Sequence, residues 1–172
     1  AIDQKITDIA GLKTLKQMRA ATPAQLSKAA MTYLSQVHQF LVFTPYQDGK
    51  VLTEGFDASI YDKSIADIPY MIGYTQNDIA DMRTSIERFC TVRDSLSNKP
   101  TYMYLFARPL PGDNSGAFHS AELWYVFHTL SRSWRPFPAA DYKLSDEIVT
   151  YWTNFAKTGN PNDSGTEPWK RY

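Results

Sequence analysis

A seven-residue run, Thr101 to Ala107 (T-Y-M-Y-L-F-A), constrains this chain more than any other stretch. Its aromatic and aliphatic residues suit extended backbone, and both of its alternating faces are apolar, which predicts a central strand in a sheet covered on two sides. Pro109, Pro111, Gly112, Asp113, Asn114, Ser115 and Gly116 then form a dense run of turn formers. His119 follows, and after it an apolar run to Phe127 predicts a helix. The order strand, loop, histidine, helix puts His119 where a loop enters a helix. On local pattern alone, that position is open to packing or capping as well as to chemistry.

A second unit of the same kind precedes it. Pro69 to Thr75 (P-Y-M-I-G-Y-T) predicts a short buried strand that stops at Gln76, Asn77 and Asp78. From Ile79 the pattern predicts a helix to about Arg93, with Ile79, Met82, Ile86, Phe89 and Cys90 on one face. Asp78 therefore lies between the carboxyl end of a strand and the start of a helix, the edge on which functional residues of open α/β sheets cluster. The same place suits a helix N-cap, with Asp81 further favouring the positive end of the helix dipole. Both readings of Asp78 stand at this point. Two strand-then-helix units predict parallel neighbours, with the Asp78 and His119 loops on one sheet edge.

The flanking regions read as helical. Ile6, Ile9, Leu12, Leu15 and Met18 keep a three-residue spacing interrupted by Gly11, which predicts two short helices. Thr22, Pro23 and Gln25 offer an N-cap, a first-turn proline and a capping-box partner for a helix with the stripe Leu26, Ala29, Leu34, Val37 and Leu41. Leu41 to Leu52 reads as an extended piece with a turn at Asp48 and Gly49, followed by a polar loop to Ile65. Ser131 to Asp141 reads as an irregular, proline-broken connection. A final helix follows, with Leu144, Ile148, Trp152 and Phe155 on its buried face, Asp146 and Glu147 in its first turn, and Gly159 and Pro161 at its stop.

Composition narrows the function. Lysine plus arginine and aspartate plus glutamate each number 18, so no net field draws the chain to nucleic acid. Small neutral partners fit better. Aromatic residues make up 14%, a surplus that can line an apolar pocket as well as a core. Cys90 is the single cysteine, which leaves no internal disulfide, no cysteine-based zinc site and no indication of compartment. No apolar run reaches the length of a membrane span, and A-I-D-Q-K at the start is not a signal peptide, so localisation is open. With 172 residues, the chain has the size of one domain.

Gly116 to Phe127 (G-A-F-H-S-A-E-L-W-Y-V-F) resembles the histidine segment of type-B carboxylesterases, the family that includes cholinesterases. I-G-Y-T-Q-N-D-I resembles the family's G-x-N-x-D-E-G segment, with Asp78 at the catalytic acid. Here the usual Glu is Asp, the preceding Asp is Asn77 and the following Gly is Ile79. L-S-D-E-I-V-T-Y-W-T-N-F-A-K-T-G-N-P-N matches the family's C-terminal helix, and E-P-W-K-R-Y its closing W-P-x-Y. The resemblance implies that residues 1–172 are the C-terminal portion of a single α/β-hydrolase domain, an α/β fold whose parallel sheet is incomplete without its upstream half. It implies a serine carboxylesterase in which His119 is the catalytic base and Asp78 its acid, with no cofactor and no metal.

The serine should precede both residues in a G-x-S-x-G elbow, and the chain contains no such pentapeptide. The resemblance therefore implies a nucleophile and oxyanion loop in an upstream part, a small-molecule ester as the substrate of the complete protein, and a chain that alone is inactive. It further implies an apolar patch or open strand edge that the upstream half, or self-association, would cover. Neither nucleic acid nor membrane is an expected partner. Glu122, one helical turn after His119, is a second candidate to orient the imidazole or to form a His-x-x-Glu metal pair. A non-catalytic, cholinesterase-like adhesion protein is the other class, and it would lack the serine.

Overall fold

A computed structural model describes residues 2–37, 45–61, 64–163 and 165–172. They fall into two units, Ala1–Thr53 and Glu54–Tyr172.

The first unit is helical. Helices α1 (Ile2–Ile9) and α2 (Leu15–Ala20) are parted at Gly11, whose φ of +71° no helix continues. α3 (Pro23–Val37) packs on α1 and buries Ala29 and Tyr33. Thr22 caps α3 by accepting the Gln25 N–H at 3.2 Å, but the expected capping box does not close, because the Gln25 side chain donates to the Ala10 carbonyl instead. A closed box stands one helix earlier, between Thr14 and Gln17. Leu41 of the expected stripe, and the start of the extended piece to Thr44, lie outside the described residues. At the predicted turn, Gly49 takes φ +72° and Asp48 Oδ1 accepts the N–H groups of Lys50, Val51 and Leu52.

The second unit is a three-layer α/β arrangement. Strands β1 (Tyr70–Thr75) and β2 (Thr101–Phe106) pair in parallel, with Tyr70 opposite Thr101 and Thr75 opposite Phe106. Helix α5 (Arg83–Leu96) connects them and lays Ile86, Phe89 and Cys90 on one face, against Tyr70, Ile72, Tyr74 and Met103. The other face carries α6 (Leu123–Val126) and α7 (Ala139–Thr158) over Phe106, Leu110, Ala117, Ala121, Tyr125 and Leu130. Fully burying a leucine such as Leu110 or Leu130 contributes about 1.5–3 kcal/mol. Gly73 has a packing role, since a Cβ there would stand 2.3 Å from the Tyr104 ring on the α7 face.

The second edge of β2 is also occupied. Its Thr101 carbonyl accepts the Tyr172 N–H at 2.9 Å, and its Met103 carbonyl accepts Trp169 Nε1–H at 3.0 Å. β1 pairs only with β2 among the described residues.

Four boundaries differ from the sequence pattern. The polar loop before Ile65 contains a short helix, α4 (Phe56–Tyr61). α5 begins at Arg83 rather than Ile79, and Asp81 Oδ1 accepts the Arg83 N–H. The helix after His119 is confined to Leu123–Val126, because Ser120 takes φ +66° and interrupts helical geometry beside the histidine. α7 begins at Ala139, inside the expected irregular connection and before Asp146 and Glu147, with Asp141 in its first turn and Pro138 extended before it. Its end is as read, at left-handed Gly159.

Candidate active site

β1 ends at Thr75, and Asp78 lies three residues on. The Thr75 hydroxyl donates to Asp78 Oδ2 at 3.0 Å, and the Ile79 N–H donates to Oδ1 at 2.7 Å. Asp78 is not a helix cap, because α5 starts beyond it with Met82 at the N-cap position. Its carboxylate is instead 2.7 Å from His119 Nδ1, across 41 residues of sequence. An ionised carboxylate only accepts, so Nδ1 carries the proton and Nε2 is left with its lone pair. Burial pulls the Asp78 pKa upward, but the Ile79 N–H, the His119 ring and the Thr75 hydroxyl together hold it below its ordinary value. The Asp78 side chain is 14% exposed and that of His119 58%, so the acid is enclosed while the ring reaches solvent.

The loop from Ala107 to Glu122 that carries His119 is long, and it is braced at several points. At its start Arg108 makes a two-pronged ion pair with Asp141 of α7, at 2.7 and 3.1 Å. At its end the buried Tyr125 hydroxyl donates to the same Asp141 at 3.0 Å. Burial, then the Asp141 charge, pushes the Tyr125 phenol far up. In the middle Arg135 donates to the Pro111 carbonyl and to both oxygens of Asp113, while its guanidinium covers the Phe118 and Trp134 rings. Arg135 holds the Asp113 carboxyl down at about 2. Asn77 meets the loop from the acid side, accepting the Ala117 N–H on Oδ1 and donating its own N–H to the Ala117 carbonyl, both at 3.0 Å.

Glu122 lies elsewhere. It lines an apolar cavity of about 320 Å³ with Tyr104, Ile148, Trp152 and Trp169, on the α7 face of the sheet. Burial, then the Glu122 charge, pushes the Tyr104 phenol up to about 12. No hydrogen bond or ion pair joins Glu122 to His119, and among the described residues no group of three or more His, Cys, Asp or Glu is placed to hold a metal ion. Phe118, Leu123, Trp124 and Phe127 form an apolar surface around His119. Thr75, Asn77, Arg108, Asp113, Arg135 and Asp141 were not singled out as site residues by sequence pattern; Thr75 is a plain strand-end residue three before Asp78, and the others have partners 22 to 40 residues away.

The family model for the carboxylesterase family matches residues 81–172. This chain belongs to the carboxylesterase family. The matched stretch contains His119, and Asp78 stands just ahead of it. Among curated relatives of this carboxylesterase-family chain, bile salt-activated lipase of Bos taurus is 39% identical over 66 residues, covering 36% of this chain and 11% of that protein. Carboxylesterase 4A of Bos taurus is 34% identical over 83 residues, covering 42% of this chain and 14% of that protein. In three dimensions, a PNB esterase matches 99% of this chain with a TM-score of 0.82 at 22% identity. The fold is therefore the C-terminal part of an α/β-hydrolase fold. The chain spans about half the length of that esterase, 47%.

Proposed function

We propose that this chain supplies the acid and the histidine of a Ser-Asp-His triad in a carboxylic ester hydrolase, with Asp78 as acid and His119 as base. The observation that carries this reading is the 2.7 Å bond from His119 Nδ1 to an enclosed, ionised Asp78, which fixes the tautomer and leaves Nε2 to take a proton. In such a triad Nε2 accepts the serine proton as the oxygen attacks the ester carbonyl, and returns it to the departing alcohol. Asp78 stabilises the imidazolium between those steps. Water then repeats the cycle on the acyl-enzyme.

The nucleophile and the oxyanion donors come from outside residues 1–172, since no G-x-S-x-G occurs within them. The open side of β1, together with exposed Ile79, Leu123 and Phe127 near the two loops, is the surface on which that upstream part would sit. A small-molecule carboxylic ester is the proposed substrate.

The test is an assay of the purified chain on a p-nitrophenyl ester, repeated after mixing with a polypeptide that carries the serine elbow and oxyanion loop. The chain alone should hydrolyse no faster than free imidazole. Activity should emerge on mixing and vanish in both His119→Ala and Asp78→Ala. Activity of the chain alone that is lost in His119→Ala would reveal a nucleophile within it and overturn the split-triad reading.

A further inference from the structure

We propose that Asn77 is a positioning residue, a clasp that sets the acid loop against the histidine loop and so fixes the Asp78–His119 distance. The proposal rests on the reading of Asp78 and His119 as acid and base. Both loops leave the same edge of the sheet, and β1 and β2 stop pairing at Thr75 and Phe106. Beyond those residues the ladder would splay, yet Asn77 and Phe118 form one more parallel bridge. The side chain adds a second bond to this rung. Asn77 N–H donates to the Ala117 carbonyl at 3.0 Å, and Asn77 Oδ1 accepts the Ala117 N–H at 3.0 Å, so both polar groups of one peptide residue are held by a single asparagine.

Ala117 has no exposed surface while Asn77 itself is exposed, so the asparagine side chain stands between a buried peptide group and solvent. Gly116 is matched to the same contact. Its φ is +68°, and a Cβ on it would stand 2.3 Å from Asn77 Oδ1. The clasp sits one residue before Asp78 and two before His119, so a slip there passes to both side chains with little chain in between to absorb it. The residue type follows from the task. Position 77 needs an acceptor on a short stem, which Asn and Asp provide, and Asn does this without placing a second carboxylate next to Asp78.

The experiment uses the full 172-residue chain and two NMR signals: the titration of the Asp78 carboxyl carbon, and the downfield Nδ1–H resonance of His119, assigned by its loss in Asp78→Asn. In Asn77→Ala the Asp78 midpoint should move up toward the ordinary carboxylate range, and the Nδ1–H resonance should be lost to exchange. Asn77→Asp should restore the Nδ1–H resonance, and Gly116→Ala should reproduce its loss. Ile86→Val, a core change on the far side of β1, should lower stability without moving either signal. If Asn77→Ala fails to fold, Asn77→Ser and Gly116→Ala carry the test. Wild-type values of both signals in the folded Asn77 and Gly116 variants would overturn the proposal, as would equal changes in Ile86→Val. If wild-type protein shows no Nδ1–H resonance that depends on Asp78, the acid and base reading itself fails, which is a separate outcome.

Discussion

The loops that bring Asp78 and His119 together are built in opposite ways. The acid loop is short: Asp78 follows the last residue of β1 by three positions, and the strand end itself, through Thr75, helps to hold the carboxylate. The histidine loop runs from Ala107 to Glu122, too far from β2 for the strand to place anything, and it is fixed by side chains of α7 and of the segment before it. The difference teaches that one sheet edge offers two routes to precision. A residue near the strand inherits its position, while a distant one needs braces, and the braces are where stability and site geometry become the same problem.

The largest expected effect breaks the comparison on its chemical side. On the proposed triad reading, Asp78→Asn in the assembled enzyme should lower kcat about 10⁴-fold while changing the melting temperature little, because the amide oxygen can still accept the Ile79 N–H but cannot hold the histidine tautomer. Steady-state kinetics and thermal unfolding measure the two halves of that statement. Near-normal turnover in Asp78→Asn with an inactive Glu122→Gln would move the acid role to Glu122.

The histidine loop should behave the other way round. Asp141 is 1% exposed and joins both ends of that loop, so Asp141→Ala strands the Tyr125 hydroxyl in the core and releases Arg108. Chemical denaturation should show a loss of about 2–3 kcal/mol. A loss below about 0.5 kcal/mol, within the usual range for surface substitutions, would mean that the brace is ornamental.

A weaker effect depends on pH. Arg135 holds the Asp113 carboxyl at about 2, below its ordinary value of 3.8. A depressed folded-state pKa stabilises the fold above the unfolded value, and that contribution is lost as pH falls from near 4 through about 2. Unfolding midpoints across this window should fall more steeply in wild type than in Asp113→Asn. Equal slopes would remove Asp113 from the braces. The smallest effect is expected at Ser120, whose φ of +66° costs a side-chain residue more than glycine. Ser120→Gly should raise stability by roughly 0.5 kcal/mol after the greater chain entropy of glycine is discounted.

Much of this layout was legible in sequence because it is written in local periods. Two apolar strands, each followed by turn formers and a helix, dictate parallel pairing and a common loop edge, and that is how Tyr70–Thr75 and Thr101–Phe106 lie. What was not legible depends on distant partners. Asp78 and Asp81 read together as an N-cap and its support, so α5 was expected at Ile79; the carboxylate of Asp78 is turned to His119, and α5 waits until Arg83. The start of α7 was missed because Asp141 reads as one more polar loop residue, and only the fold reveals Arg108 and Tyr125 around it. The short extent of α6 follows from a serine with positive φ, a conformation the residue type does not announce.

The tail from Trp169 to Tyr172 has a consequence for how the molecule meets other chains. By taking the Thr101 and Met103 carbonyls on the outer side of β2, it blunts that edge as a template. The described sheet therefore offers backbone pairing on the β1 side alone. Copies of a sheet with two free edges can add to one another without limit, which is the route to fibres, whereas copies with a single free edge can only pair edge to edge. Self-association through this sheet is thus stoichiometric by construction: a second copy that pairs through its own β1 uses up both free edges, and growth stops.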